Sequence, residues 1–202
     1  MTATTHLDRA LKLATIALTL SVGSCALDPV HDGAVKALGP EDPAIPQGPF
    51  HRQGQPCAVC HSVQGPAKTT FVLAGTIFYG PGSPTGADQA SVRIIDATGA
   101  KKCFITNCKG NFFVRPEEFP KSQPIAFPLL VSATKGSAYK AMASRIGREA
   151  SCANCHRNPR FFDSPGQVRL YETESQVPKQ SGECPPVGPP VFDPDACKEN
   201  FQ

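Results

Sequence analysis

Hydrophobic and polar positions along the chain fall into three regimes. Leu13–Val22 is an apolar run without a charge. Between residues 71 and 134 apolar residues come in short β-branched and aromatic runs, separated by turn signals. Phe71–Tyr79 (FVLAGTIFY) is followed by the turn-rich Gly80–Gln89. Ala90–Asp96 (ASVRIID) leads to the Thr98-Gly99 turn, Lys101–Asn107 (KKCFITN) to Lys109-Gly110, and Asn111–Val114 and Pro128–Thr134 (PLLVSAT) complete the series. Short runs at this spacing predict a small antiparallel β-sandwich. The third regime, Ser137–Glu149, has Ala138, Ala141, Met142 and Ile146 at helical spacing and predicts one short helix. Gln167–Tyr171 (QVRLY) reads as a last strand. The fold class expected is mainly β, with irregular Pro-rich tails.

The N-terminal run is too short to span a bilayer, being about half of the ~20 residues required. Arg9 and Lys12 precede it and Gly23, Ser24 and Cys25 follow, which is the architecture of an export signal. Ala26–Phe50 is dense in Pro, Gly and Ala and reads as a semi-extended tether, with His31 a solvated residue within it. Expected boundaries are a signal over 1–24, a tether over 25–50, a first cofactor segment over 51–68, the sandwich over 69–136, a helix and second cofactor segment over 137–172, and a tail over 173–202.

Composition narrows the function classes. The chain holds 21 Pro, 17 Gly and no Trp, which favours loops and short strands over long helices. Twenty basic residues against 17 acidic ones leave a formal charge of only +3, with no basic run and no alternation of basic and aromatic residues. Nothing in this pattern suits nucleic acid. No Ser-His-Asp set, phosphate loop or carboxylate pair suggests an enzyme acting on a small-molecule substrate.

The chemistry sits in two repeats, Cys57-Ala58-Val59-Cys60-His61 and Cys152-Ala153-Asn154-Cys155-His156. Each reads C-x-x-C-H, the spacing that attaches a haem through two thioethers and supplies a proximal histidine to the iron. Both copies resemble those of c-type cytochromes, and the resemblance implies two covalently attached haem c groups. Two alternatives stand beside this reading. The four thiols could hold zinc, or they could form structural disulfides. A thioredoxin-like redox motif is disfavoured, because no βαβ pattern surrounds either repeat.

Sixth ligands have few candidates. His51 lies just before the first repeat and Met142 just before the second, and both are candidate distal ligands. Arg157 and Arg160 are candidates for pairing with haem propionates, with an exposed basic surface as the plain alternative.

Val22-Gly23-Ser24-Cys25 resembles the lipobox of bacterial lipoproteins. The resemblance implies acylation of Cys25, an anchor in a lipid membrane, and a place in the cell envelope, with Ala26 pointing to the outer membrane. The order AGTIFY, ASVRIIDATGAK, ITNCKGNFFV is similar to carboxypeptidase-regulatory, transthyretin-like β-sandwiches, with Thr106, Gly110 and Phe112 on the matching hairpin. That resemblance covers about 71–134 and implies a structural or binding module.

Of nine cysteines, Cys103, Cys108, Cys184 and Cys197 remain after lipid and haem are assigned. An even remainder suits an oxidising compartment. Three pairings are open, with Cys103–Cys108 and Cys184–Cys197 preferred.

The function expected is single-electron transfer to redox protein partners by a membrane-tethered diheme cytochrome. A β-sandwich scaffold with zinc or disulfides, or a sensor or peroxidase-like protein with one open haem, are the alternatives.

Overall fold

A computed structural model describes residues 28–119, 124–158 and 162–178. The export signal, Cys25, Arg160, Cys184 and Cys197 lie outside the described residues. The chain divides into two units, one ending at Ala37 and the other beginning at Leu38.

The described part of the first unit is a helix, α1, over Pro29–Ala37. Over these residues the backbone is helical, where the sequence suggests a semi-extended tether. Asp28 caps it, its carboxylate accepting from the His31 N–H at 2.9 Å. Pro29 sits at the first helical position, where its missing N–H costs nothing. Asp32 in the first turn and Lys36 in the last complement the helix dipole. No helix among the described residues is long and apolar enough to cross a membrane.

The second unit is mainly β, as expected. Its strands are β1 (Leu73–Thr76), β2 (Ser91–Ile95), β3 (Lys101–Ile105), β4 (Asn111–Val114), β5 (Leu130–Lys135) and β6 (Ala138–Ala141). They form two antiparallel sheets, a pair β1-β4 and a four-stranded sheet in the order β3-β2-β5-β6. Both sheets feed one core. Leu73, Phe112 and Val114 come from the pair, and Val92, Ile94, Phe104, Val131 and Ala133 from the larger sheet. β5 alternates buried and half-buried positions, as a strand with one face on the core must. Burying a side chain of this size contributes about 1.5–3 kcal/mol.

Two elements differ from the sequence expectation. The helix expected over 137–149 is instead β6 and an irregular segment. Lys135 pairs with Ala138, so Gly136-Ser137 form a two-residue hairpin loop, with Gly136 at φ +57°. A glycine-led two-residue loop returns the chain directly along β5. The spacing of Ala138, Ala141 and Met142 loses to that turn. Met142 donates its N–H to Val131 O at 3.0 Å, and Ile146 bridges Leu129. Gln167–Tyr171 forms no named strand. It meets the Phe78 region through single bridges, with Leu170 N–H donating to Phe78 O at 3.0 Å.

The β3–β4 connection is tightly specified. Thr106 is buried, accepting from Ala90 N–H at 2.8 Å and donating to Ala87 O at 2.5 Å. Gly110 lies at φ +71°, and a Cβ there would meet Ile77 O at 2.1 Å. Gly110→Ala therefore combines a left-handed strain of about 1–2 kcal/mol with a backbone clash. Its urea midpoint should fall well below that of the parent, with an unchanged m value.

Candidate functional site

Each C-x-x-C-H repeat folds into the same unit. Cys57–Cys60 (α2) and Cys152–Cys155 (α3) are single helical turns. Three residues apart on a helix, the two cysteines of each repeat share a face. The histidine closes each turn, His61 N–H donating to Cys57 O at 2.9 Å and His156 N–H to Cys152 O at 2.8 Å.

The imidazoles are oriented in the same way. His61 Nδ1 lies 2.8 Å from Thr69 O and His156 Nδ1 lies 2.9 Å from Gly166 O. A carbonyl oxygen only accepts, so Nδ1 of each ring carries the proton. The Nε2 lone pair of each is left available to a metal. Burial lowers the His61 pKa below its ordinary 6.5. The Thr69 carbonyl and Glu41 oppose this, and His51 adds to it. The ring is thereby held in the neutral form a metal ligand needs.

Strand β1 brings the two repeats together. Ala74 N–H donates to Ala150 O at 2.8 Å, and Ala74 and Ser151 form a parallel bridge. Gly75 lets Cys152 approach, since a Cβ there would meet its Sγ at 2.6 Å. On the other side Gly54 N–H donates to Thr76 Oγ1 at 2.9 Å. The repeats then touch directly. Ala58 N–H donates to Ser151 Oγ at 3.1 Å, across 93 residues of sequence. The Ser151 hydroxyl makes no capping bond to its own turn.

The thiols have a distinct character. Cys57, Cys60, Cys152 and Cys155 are free, whereas Cys103 and Cys108 are both disulfide-bonded. Burial pushes the Cys57 thiol up to about 11 and the Cys152 thiol up to about 12, with neighbouring Cys57 the second cause for Cys152. Both are neutral at physiological pH, unlike the lowered thiols of thiol-disulfide chemistry.

His51 joins the first site. Its ring lies 5.8 Å from that of His61, centroid to centroid, at an interplanar angle of 13°. His61 stacks in turn on Phe71 at 4.2 Å, and Phe71 on Phe113 at 4.8 Å. The His51 segment is clamped. Asn111 Nδ2 donates to Pro49 O at 3.2 Å and His51 O at 3.3 Å, and Asn107 Nδ2 to Pro49 O at 2.7 Å. Arg52, at φ +50°, reaches Leu38 O, Gly39 O and Gln55.

Met142 is half-buried against the main core, which Cys152 also meets. Arg157 pairs with Asp163 at 2.5 Å on the surface. His31 lies on α1, and its Nε2 is shielded with no hydrogen-bond partner, unlike the solvated residue expected. Among the described residues no three His, Cys, Asp or Glu side chains converge as a metal-holding group.

Sequence reasoning missed Ser151 and Thr69 as parts of the site. Ser151 directly precedes the second repeat, but nothing in the sequence names Ala58 as its partner. Thr69 could be sought only after the imidazole was known to need a nearby carbonyl.

Ser151→Ala leaves the Ala58 N–H without its acceptor and should destabilise the protein by about 1–3 kcal/mol, read as a lower denaturant midpoint. The pH response of the haem-free protein follows from His61. Its folded pKa is below 6.5, so between those two values the unfolded chain binds more protons. Stability should rise with pH through that window and be lost as pH falls through it. Replacing His61 with Gln should flatten the slope, as measured by denaturant midpoints across pH.

Comparison with known protein families, characterised proteins and solved structures finds no match for this chain.

Proposed function

We propose that the chain is a diheme c-type cytochrome that moves single electrons. The observation that carries this reading is the repeated unit itself. Two turns each hold a cysteine pair on one face, followed by an imidazole whose Nδ1 is committed to a backbone carbonyl. Cys57, Cys60 and His61 would hold one haem, and Cys152, Cys155 and His156 the other. When bound, each haem supplies a one-electron iron couple.

The surroundings of the thiols support thioethers in preference to the alternatives. A thioether is neutral, and burial that disfavours a thiolate does not disfavour it. Structural disulfides are less well supported, because oxidised Cys103 and Cys108 coexist with four free thiols in the repeats. Zinc bound by the four cysteines gives no reason for a histidine after each pair.

The rest of the chain has a supporting role. Strand β1 and the Ala58–Ser151 hydrogen bond hold the two attachment segments side by side, which favours transfer between the haems. The β domain is the frame on which they are mounted. An acylated Cys25 would tether this frame to a bacterial membrane facing the periplasm or exterior, where redox proteins are the partners.

The test is expression in a host that matures c-type cytochromes, followed by a pyridine haemochrome assay and a spectroelectrochemical titration. Two covalent haems per chain, taking up two electrons in total, are expected. Absence of covalent haem from correctly exported protein would contradict the reading, and zinc and disulfide analysis would then decide between its rivals.

A further inference from the structure

We propose that Phe71 is the positioning residue of the first haem: its ring holds the His61 imidazole in one rotation about the bond from Nε2 to iron. The proposal rests on the diheme reading and concerns the His61 side of that haem.

An imidazole joined to iron through Nε2 keeps one freedom, rotation about that bond. The hydrogen bond from Nδ1 to Thr69 O at 2.8 Å restrains one edge of the ring. A second restraint acts on its face. Phe71 lies 4.2 Å from His61, centroid to centroid, with 16° between the planes, a stacked contact. His51 is also nearly parallel but stands further off, at 5.8 Å. The Nε2 lone pair lies in the plane of the His61 ring and points out from its rim, clear of the stacked faces. Iron bound there leaves the Phe71 contact in place, and a swing of the imidazole about that bond drives its face against Phe71.

The loop after the first repeat delivers this ring. Ala67 N–H donates to Cys60 O at 3.0 Å, and a Cβ on Gly65 would meet the same oxygen at 2.0 Å, so glycine lets the loop fold back on the turn. Phe71 N–H then donates to His61 O at 2.9 Å, which joins the two residues by backbone as well as by ring. Phe71 is backed in turn. Phe113 of β4 stacks on it at 4.8 Å and 16°, and the Arg115 guanidinium lies 5.4 Å from the Phe113 centroid. Val72 N–H donates to Val114 O at 2.8 Å, tying the same two segments together. Among the described residues the second site has no such stack: His156 keeps its Nδ1 bond to Gly166 O, and no ring lies on its face. Groups around a metal orient its ligands and tune it, so the two haems differ in how firmly their histidines are held. The less a ligand moves when iron changes charge, the less rearrangement accompanies each electron.

The experiment uses the full, matured chain, with haem counted first. Ferric protein is examined by proton nuclear magnetic resonance, in which the spread of the shifted haem-methyl resonances reports the orientation of the axial imidazole. One set of resonances per haem is expected. Phe71→Leu removes the ring and keeps an apolar side chain. It should narrow the spread of one set, because a rotating imidazole averages the methyl positions, and leave the other set unchanged. Phe71→Tyr, which keeps the ring face, should restore the parent spread. Phe113→Leu removes only the backing ring and should narrow the same set by less; it carries the test if Phe71→Leu fails to mature. Parent-like resonances in Phe71→Leu, or in Phe113→Leu where that variant stands in, would overturn the proposal. So would equal changes in both sets, which mark a general loosening of the fold. Two haems per chain with either of these results leaves the diheme reading standing. A chain without covalent haem removes both.

Discussion

The arrangement depends on a four-residue strand. β1 uses its paired edge for β4 and its other contacts for the two C-x-x-C-H turns. Glycine at position 75 is what lets Cys152 lie against that strand, and Ala74 gives its N–H to the segment leading into the same turn. With both turns on one strand, the Ala58 N–H and the Ser151 hydroxyl come within hydrogen-bonding distance. The part-buried Ala58 N–H takes the buried Ser151 hydroxyl as its acceptor, so this bond helps to hold the two turns side by side. Residues far apart in sequence become one site because a short strand offers both of them a surface.

Within the site the backbone orients the imidazoles. Carbonyls from Thr69 and Gly166 hold Nδ1 of His61 and His156, and the Gly48 N–H donates to Nδ1 of His51. The core behind them supplies rigidity. Phe71 stacks on His61 and Phe113 on Phe71, so the first imidazole is held by a ring face as well as by a hydrogen bond. Burial keeps the Cys57 and Cys152 thiols neutral.

Much of the fold was legible in the sequence because period-two patterning and turn residues are local. Asn111–Val114 matches β4, and the runs around Ala90–Asp96, Lys101–Asn107 and Pro128–Thr134 contain β2, β3 and most of β5. After Gly136 the apolar spacing favours a helix, and the Gly136-Ser137 loop overrides it. Within 25–50 the Pro and Gly content hides the helix start at Asp28-Pro29. The cysteine pairs and their histidines stand out at any distance. Ser151, Thr69 and Gly48 do not, since their roles arise from contacts that only the folded chain creates. The same holds for the partner of His51, whose Nδ1 accepts from the Gly48 N–H.

The most direct test of the central claim is peptide mass mapping of the mature, exported protein. The account predicts a haem mass on the peptide containing Cys57 and Cys60 and another on the peptide containing Cys152 and Cys155, each resistant to thiol alkylation. Alkylatable thiols, or a disulfide within or between the two repeats, would contradict it.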